Sequence, residues 1–435
     1  MNRKPARGSR ARSASGMVQA LLCMMLSATP LLSAAQSPPL GADLPGLLEQ
    51  ARRANPEFGA MRLEADAAAQ RIQPAGALPD PVLRVELENV NNYGNDARAS
   101  LLPSKVGETK YTLMQSLPLW GKRALREQLA GADAEQARTR AAATWNELAM
   151  RVKAAYAQLY LAVERERLAK DVLDLMTRLE RIAQARYAGG LVPQQDAIRA
   201  QVEQTAMRTE LIALDNEKRQ QRARLNALLA REMSAPLADP QALLPLPPAP
   251  ALSAEALLQR ARRANPALQG EAHRVESAQA NRELTWRNRY PDISVGLSPT
   301  QMGSRITTWS VMVEMSIPLQ QAARRAQERE AVAMVDAAQA RAAAAAHQLA
   351  GELAGQLAGL EAARRTEALA RTELLPQSEL GFRSALAAYE NGKADFATLL
   401  EAQRQIRRVR QDLLMAQAEA RMRLAEIERT VGEDL

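Results

Sequence analysis

From Trp309 the chain alternates with a period of two. Trp309, Val311, Val313, Met315 and Ile317 are apolar, and Thr308, Ser310, Glu314 and Ser316 between them are polar, with Met312 the one exception. This is the pattern of a strand with one face in an apolar medium. The stretch 306–317 is also about as long as the ~9–11 residues a tilted strand needs to cross a bilayer. Three further stretches repeat the pattern. Leu83, Val85 and Leu87 alternate with Arg84, Glu86 and Glu88; Tyr111, Leu113 and Leu117 with Lys110, Thr112 and Ser116, Gln115 being the flaw; Ile293, Val295 and Leu297 with Ser294, Gly296 and Ser298. The spacing therefore predicts four strands, over about 81–90, 110–118, 292–298 and 306–317.

The rest reads as helix. Between Pro118 and Pro193 there is no proline, and glycine occurs only at 121, 131, 189 and 190, in a background of Ala, Glu, Arg, Gln and Leu. A helix of some 60 residues is roughly 90 Å long at ~1.5 Å per residue, too long for any compact core to cover. It has to pack lengthwise against other helices. Leu168, Val172, Leu175, Leu179 and Ile182 carry the 4-3-4-3 spacing of a coiled-coil seam, and Leu399, Ile406, Val409, Leu413 and Ala416 do the same near the end. The alanine run 342–346 permits close helix approach. Pro376 is expected to kink its helix.

The two halves match. Leu47-Leu48-x-x-Ala51-Arg-Arg-Ala-Asn-Pro56 recurs as Leu257-Leu258-x-x-Ala261-Arg-Arg-Ala-Asn-Pro266. Pro79-Asp80 recurs as Pro291-Asp292, Ser116-Leu-Pro118-Leu119 as Ser316-Ile-Pro318-Leu319, and Tyr187-x-x-Gly190 as Tyr389-x-x-Gly392, with Gln201 and Gln403 following at one distance. Four matches in one order make a tandem repeat. Each repeat reads helix, strand, loop, strand, long helix, tight turn, helix. The expected layout is a first repeat over 36–235, with a leading helix 43–71 and a helical hairpin over about 121–231. A Pro-rich linker covers 236–252. The second repeat, 253–435, has a leading helix 253–287 and a hairpin over about 320–430.

Arg3, Lys4, Arg7, Arg10 and Arg12, the apolar run 17–32 and Ser33-Ala34-Ala35 make 1–35 a secretory signal peptide. The apolar run is shorter than a spanning helix. The single cysteine, Cys23, lies inside it after Leu22, where a lipid-anchor signal carries a small residue. The mature chain then has no thiol chemistry and no disulfide. Five of the formal charges of +8 belong to this leader, so three remain, and aromatics are 3 % of the chain. That excludes a stacking platform for nucleic acid. His273 and His347 are isolated and read as helix-surface residues. No metal-ligand spacing, phosphate cradle or catalytic constellation is present, so the sequence implies neither an enzyme, nor a cofactor, nor a resident metal.

Later in the chain no uninterrupted apolar run reaches 18 residues, so a membrane can be crossed only by a barrel. Four strands cannot close one, since about eight is the smallest number found. A lone four-stranded sheet would leave unpaired backbone in lipid at several kcal/mol per group. The chain must pool strands with copies of itself, apolar faces toward lipid and polar faces toward water. Arg84, Glu86, Glu88 and Glu314 are the candidate lumen residues. Tyr111, Trp120, Trp286, Tyr290 and Trp309, at or near strand ends, suit interfacial girdles.

This plan resembles the TolC-like outer-membrane factor family, the exit ducts of tripartite efflux pumps, over essentially the whole mature chain. The duplicated layout, the Pro-Asp strand entries and the two hairpin turns carry the resemblance, which is nearest in character to the heavy-metal, CzcC-like branch. It implies a mainly α protein with a membrane β-barrel portion. In that architecture a homotrimer gives four strands per protomer to a twelve-stranded barrel, continued by a coiled-coil tunnel into the periplasm. It also implies a periplasmic adaptor and an inner-membrane RND-type pump as partners. Arg186-Tyr187-x-x-Gly190-Leu191-Val192 followed by Asp196 resembles the periplasmic tip. By that resemblance Gly189, Gly190, Leu191, Val192, Gly392 and Lys393 meet the adaptor, while Asp196, Tyr389 and Glu401 stand at the aperture. Thr398 and Ala394 replace acidic and basic residues that some members carry. As plain chemistry, the glycines equally suit any tight helix-helix turn, and Asp196 any helix N-terminus. Two other classes remain open at this point. A periplasmic adaptor would show one hairpin flanked by lipoyl-like β segments, and a secreted structural coiled coil would lack the four strands.

Overall fold

In the computed structural model, residues 40–90 and 99–435 are described; the expected leader 1–35, residues 36–39 and residues 91–98 between the first two strands lie outside them. The chain begins with α1 (Leu44–Ala54), α2 (Pro56–Gln70) and the short α3 (Ile72–Gly76), followed by β1 (Val82–Glu88) and β2 (Glu108–Leu117). The first hairpin is α4 (Lys122–Ala188), 67 residues long, and α5 (Gln194–Leu228). After an extended linker come α6 (Ala254–Ala264), α7 (Pro266–Arg287), β3 (Ile293–Met302) and β4 (Arg305–Met315). The second hairpin is α8 (Gln321–Leu369), a π-helical turn (Ala370–Leu374), α9 (Leu375–Glu390) and α10 (Phe396–Val431). At ~1.5 Å per residue α4 alone spans roughly 100 Å.

The leading helix expected in each repeat is in fact two. The breaks fall at Asn55 and Asn265, because proline at the next position has no N–H to donate to the preceding turn. Each asparagine then does two jobs. Its side-chain oxygen caps the new helix, accepting from Glu57 and Phe58 N–H in one repeat and Leu268 N–H in the other. Its side-chain N–H donates to a carbonyl at the end of the distant return helix, Leu228 O at 2.9 Å and Thr430 O at 2.8 Å. The recurring Ala-Asn-Pro is thus a knuckle fastening the leading segment to the end of its own hairpin. Around it Leu47 packs with Leu148, Leu159 and Leu225, and Leu257 with Leu353, Leu360 and Ile427.

The four strands form one antiparallel sheet in the order β1-β2-β3-β4. The third strand was expected to stop at Ser298, before Pro299, but β3 continues through the proline to Met302. Lacking an N–H, Pro299 interrupts the ladder to β2, which pairs Lys110 with Thr300 and resumes at Leu113 with Leu297. Side chains fill the interval: the hydroxyls of Thr112 and Ser298 are 2.9 Å apart, and Tyr111 donates to Gln301 Oε1 at 3.1 Å. The seam in α4 also differs by a residue. Leu168, Val172 and Leu179 are buried as expected, but Met176 and Ala183 are buried while Ile182 is 36 % exposed. Toward the tip the contact stripe follows the 3.6-residue helical period rather than a strict heptad. The π turn ends two residues before Pro376, next to the place of the expected kink.

Sheet and helices are joined by contacts between the repeats. Trp120 (φ 63°) and Gly121 (φ 73°) turn the chain from β2 into α4. Buried Lys122 then donates to Tyr290 O and Asp292 Oδ1, both at 2.8 Å. Trp120 and Trp286 pack on Tyr290 with ring centroids 5.1 and 5.5 Å away.

Candidate functional site

Two regions carry the candidate residues: the far end of the hairpins and the polar face of the sheet. At the far end both hairpins close with the same turn. In the first, Gly190 N–H donates to Tyr187 O at 2.9 Å and Leu191 N–H to Arg186 O at 2.8 Å. In the second, Gly392 N–H donates to Tyr389 O at 3.0 Å and Lys393 N–H to Ala388 O at 2.8 Å. These are Schellman closures, which need a left-handed residue after the last helical turn; Gly190 and Gly392 supply it at φ 72° and 70°. The turns present Gly189, Gly190, Leu191, Gly392 and Lys393 to solvent, with Val192 half-buried. Leu191 is 71 % exposed, an apolar side chain offered at the end of a polar hairpin.

The next helices start differently. Asp395 caps α10, accepting from Thr398 N–H at 2.9 Å and from its hydroxyl at 2.6 Å. The bonds from Thr398 hold the Asp395 carboxyl below its usual range. Pro193 caps α5 without a side-chain acceptor, and Asp196 sits in the first turn. Asp196 is buried, and burial lifts its carboxyl above the usual range; Asp395 adds to this, and Arg199 and Arg186 oppose it. Tyr389 is 1 % exposed, its ring 5.4 Å from Phe396. Its hydroxyl is buried without a partner. Burial, with the nearby Asp196, raises its pKa.

The structure thus brings Asp196 and Tyr389 into one electrostatic neighbourhood, while Glu401 stands on an exposed face of α10. Sequence reasoning missed the side chains that join the hairpins there. Arg186 donates to Tyr389 O, Arg404 pairs with Glu203, Arg407 with Glu210 at 2.8 Å, and Gln411 donates to Glu210 at 3.1 Å. A seven-residue spacing, Glu203 to Glu210 on α5 and Arg404 to Gln411 on α10, was the available signal.

On the sheet, pairing puts the odd positions on one face. Leu83, Leu113, Leu297 and Val311 form one row across all four strands, and Ile293 and Met315 belong to another. Leu83, Leu113, Leu297, Val311 and Val313 are all more than one-third exposed, so the chain by itself leaves this apolar face uncovered. The other face carries Arg84, Thr112, Ser298 and Ser310 in a row, then Glu86 opposite Lys110 and Glu314 opposite Ser294. Glu88 lies opposite Glu108 at the end of the ladder. Arg84 and Glu86 approach to 3.8 Å, both well exposed. Among the described residues no three His, Cys, Asp or Glu side chains converge as metal ligands, and no helix is long and apolar enough to cross a membrane.

The chain matches the family model for outer membrane efflux proteins in two stretches, 47–231 and 257–433, one in each half. It is 25 % identical over 366 residues to the cobalt-zinc-cadmium resistance protein CzcC of Cupriavidus metallidurans, covering 83 % of both chains. Among solved structures it is similar to the outer membrane protein VceC of Vibrio cholerae, with TM-score 0.74 and 17 % identity over 90 % of this chain and 96 % of that one. It is also similar to the open state of the Neisseria gonorrhoeae outer membrane channel MtrE, with TM-score 0.73 and 17 % identity over 90 % of this chain and 89 % of that one. The periplasmic-adaptor alternative finds no support, since both hairpins and all four strands belong to the matched plan. This chain belongs to the outer membrane efflux protein family.

Proposed function

We propose that three copies of the chain form the passive exit duct of a tripartite pump, with divalent metal cations as cargo. The observation that carries this reading is the sheet: four strands, two unpaired edges and a bare apolar face, set on hairpins roughly 100 Å long. Unpaired edges in lipid are intolerable, and three copies supply twelve strands that close on themselves. Arg84, Glu86, Glu88 and Glu314 then line the lumen, and the helices extend the duct into the periplasm of a Gram-negative cell. Nothing in this role calls for catalysis, so energy comes from an inner-membrane RND-type pump through a periplasmic adaptor.

The exposed turns, Gly189, Gly190, Leu191 and Val192 with Gly392 and Lys393, are the adaptor contact. Asp196, Tyr389 and Glu401 belong to an aperture that is closed at rest; the existence of an open state in MtrE supports a gated tip. The cargo reading rests on the likeness to CzcC and on the lumen carboxylates, which suit weak, multi-site passage of cations. Deletion of the gene is expected to lower the inhibitory concentrations of cobalt, zinc and cadmium several-fold, with recovery on complementation. Sensitivity confined to organic toxicants would overturn the cargo, and a protein that is monomeric and soluble without detergent would overturn the duct.

A further inference from the structure

Arg186 belongs to both tip turns of its protomer. Its own carbonyl accepts the Leu191 N–H that closes the first turn. Its guanidinium crosses to the end of α9, where Nη1 donates to Tyr389 O and lies 3.4 Å from Glu390 O. The same guanidinium stands 5.0 Å from the centre of the Tyr389 ring. Carbonyls at a helix C-terminus lack intrahelical donors and carry partial negative charge, so a cation there completes the helix end electrostatically. Stacking on the tyrosine adds a cation–π attraction.

The second turn is packed against this group as well: Nη2 lies 3.5 Å from where a β-carbon on Gly392 would stand. The arrangement is not mutual. In the second repeat the residue in the position of Arg186 is Ala388, which closes its own turn through its carbonyl but has no side chain to send back. Farther from the tip, Glu203–Arg404 and Glu210–Arg407 bridge the same two hairpins, so the clasp ends a series of polar links.

We propose that Arg186 clasps the second hairpin turn to the first within a protomer, so that the two turns move as one body. It is a positioning residue for the tip. Only its consequence for conductance rests on the tip being a gate.

The test is hydrogen–deuterium exchange on the intact protein in detergent, for wild type, Arg186→Gln and Arg186→Met. Amides around 389–396 should exchange at least threefold faster in both variants, about two hundred residues from the substitution. Amides at 225–237, the last turn of α5 and the segment after it, should not change. Arg186→Lys, which restores the cation, should bring the rate back toward wild type. Wild-type exchange in the Gln or Met variant would overturn the clasp, as would a Lys variant as fast as Gln. If neither uncharged variant assembles, Arg186 is needed for assembly rather than for coupling, and the proposal falls.

Single-channel recording in planar bilayers then separates the two readings. Faster exchange together with a several-fold higher resting conductance supports clasp and gate together. Faster exchange with unchanged conductance leaves the clasp standing and removes the gate.

Discussion

Asp196 is an acid placed where its charge is poorly solvated. Burial is the largest influence and raises its pKa, Asp395 adds to the effect, and Arg199 and Arg186 reduce it. A carboxyl whose folded pKa lies above its unfolded value, near 3.8, stabilises the fold below that value. That contribution is lost as pH rises through the folded pKa. Asp196→Asn removes the ionisation, so its melting temperature relative to wild type should climb as pH rises from about 4 and then level off. Parallel melting of both proteins between pH 4 and 8 would contradict this; a constant difference means the carboxyl is not perturbed. At this scale the sequence was legible where backbone geometry dictates the residue, as at Gly190 and Gly392, whose left-handed φ glycine tolerates best. It was not legible at Arg186. A long side chain that reaches a partner two hundred residues away leaves no local spacing behind, and nothing in Arg-Tyr-Ala-Gly distinguishes a clasp from a solvated arginine.

Helices, strands and turns were readable from period and composition, and the departures have physical causes. The break at Asn-Pro went unread because the helix-forming composition continues across it, although the motif itself was in plain view twice. The third strand was expected to end at Ser298, yet β3 runs on through Pro299, with the Thr112–Ser298 hydroxyl pair on one side and the Tyr111 to Gln301 bond on the other in place of the missing ladder bond. The knuckle gives a prediction about elements. In Asn265→Ala, α7 loses its cap, worth about 1 kcal/mol. The buried carbonyl of Thr430 also loses a donor, at about 1–3 kcal/mol. Together these should lower the denaturant midpoint, with the slope unchanged. Asn55→Ala should do the same in the first repeat, where the bond from Asn55 to Leu228 O is the counterpart. If one substitution were neutral and the other costly, the two knuckles would not be equivalent and the repeat would be structural in name only.

For the molecule as a whole, the deciding feature is what one copy leaves unfinished. Among the described residues both β1 and β4 have a free edge, and the row Leu83, Leu113, Leu297 and Val311 ends in solvent at each side. Alternation made the two faces legible from the sequence, but closure in the proposed trimer did not show there, because no single chain records its partners' positions. If the apolar face meets lipid, a charge there is costly in proportion to its depth, about 2–4 kcal/mol for arginine at mid-membrane. Val311→Arg should therefore reduce the yield of detergent-stable trimer from the outer-membrane fraction. Ser310→Arg, one residue away on the face shared with Arg84, should leave that yield near wild type. The pair differs in nothing but the face of one strand, so equal yields would mean that neither face is in lipid. Light scattering of the detergent-purified protein gives the second half of the test: three chains per particle for wild type and Ser310→Arg, and smaller particles or aggregate for Val311→Arg. A wild-type particle of one chain would mean that the sheet edges are protected in some other way, and the twelve-stranded barrel would have to be abandoned.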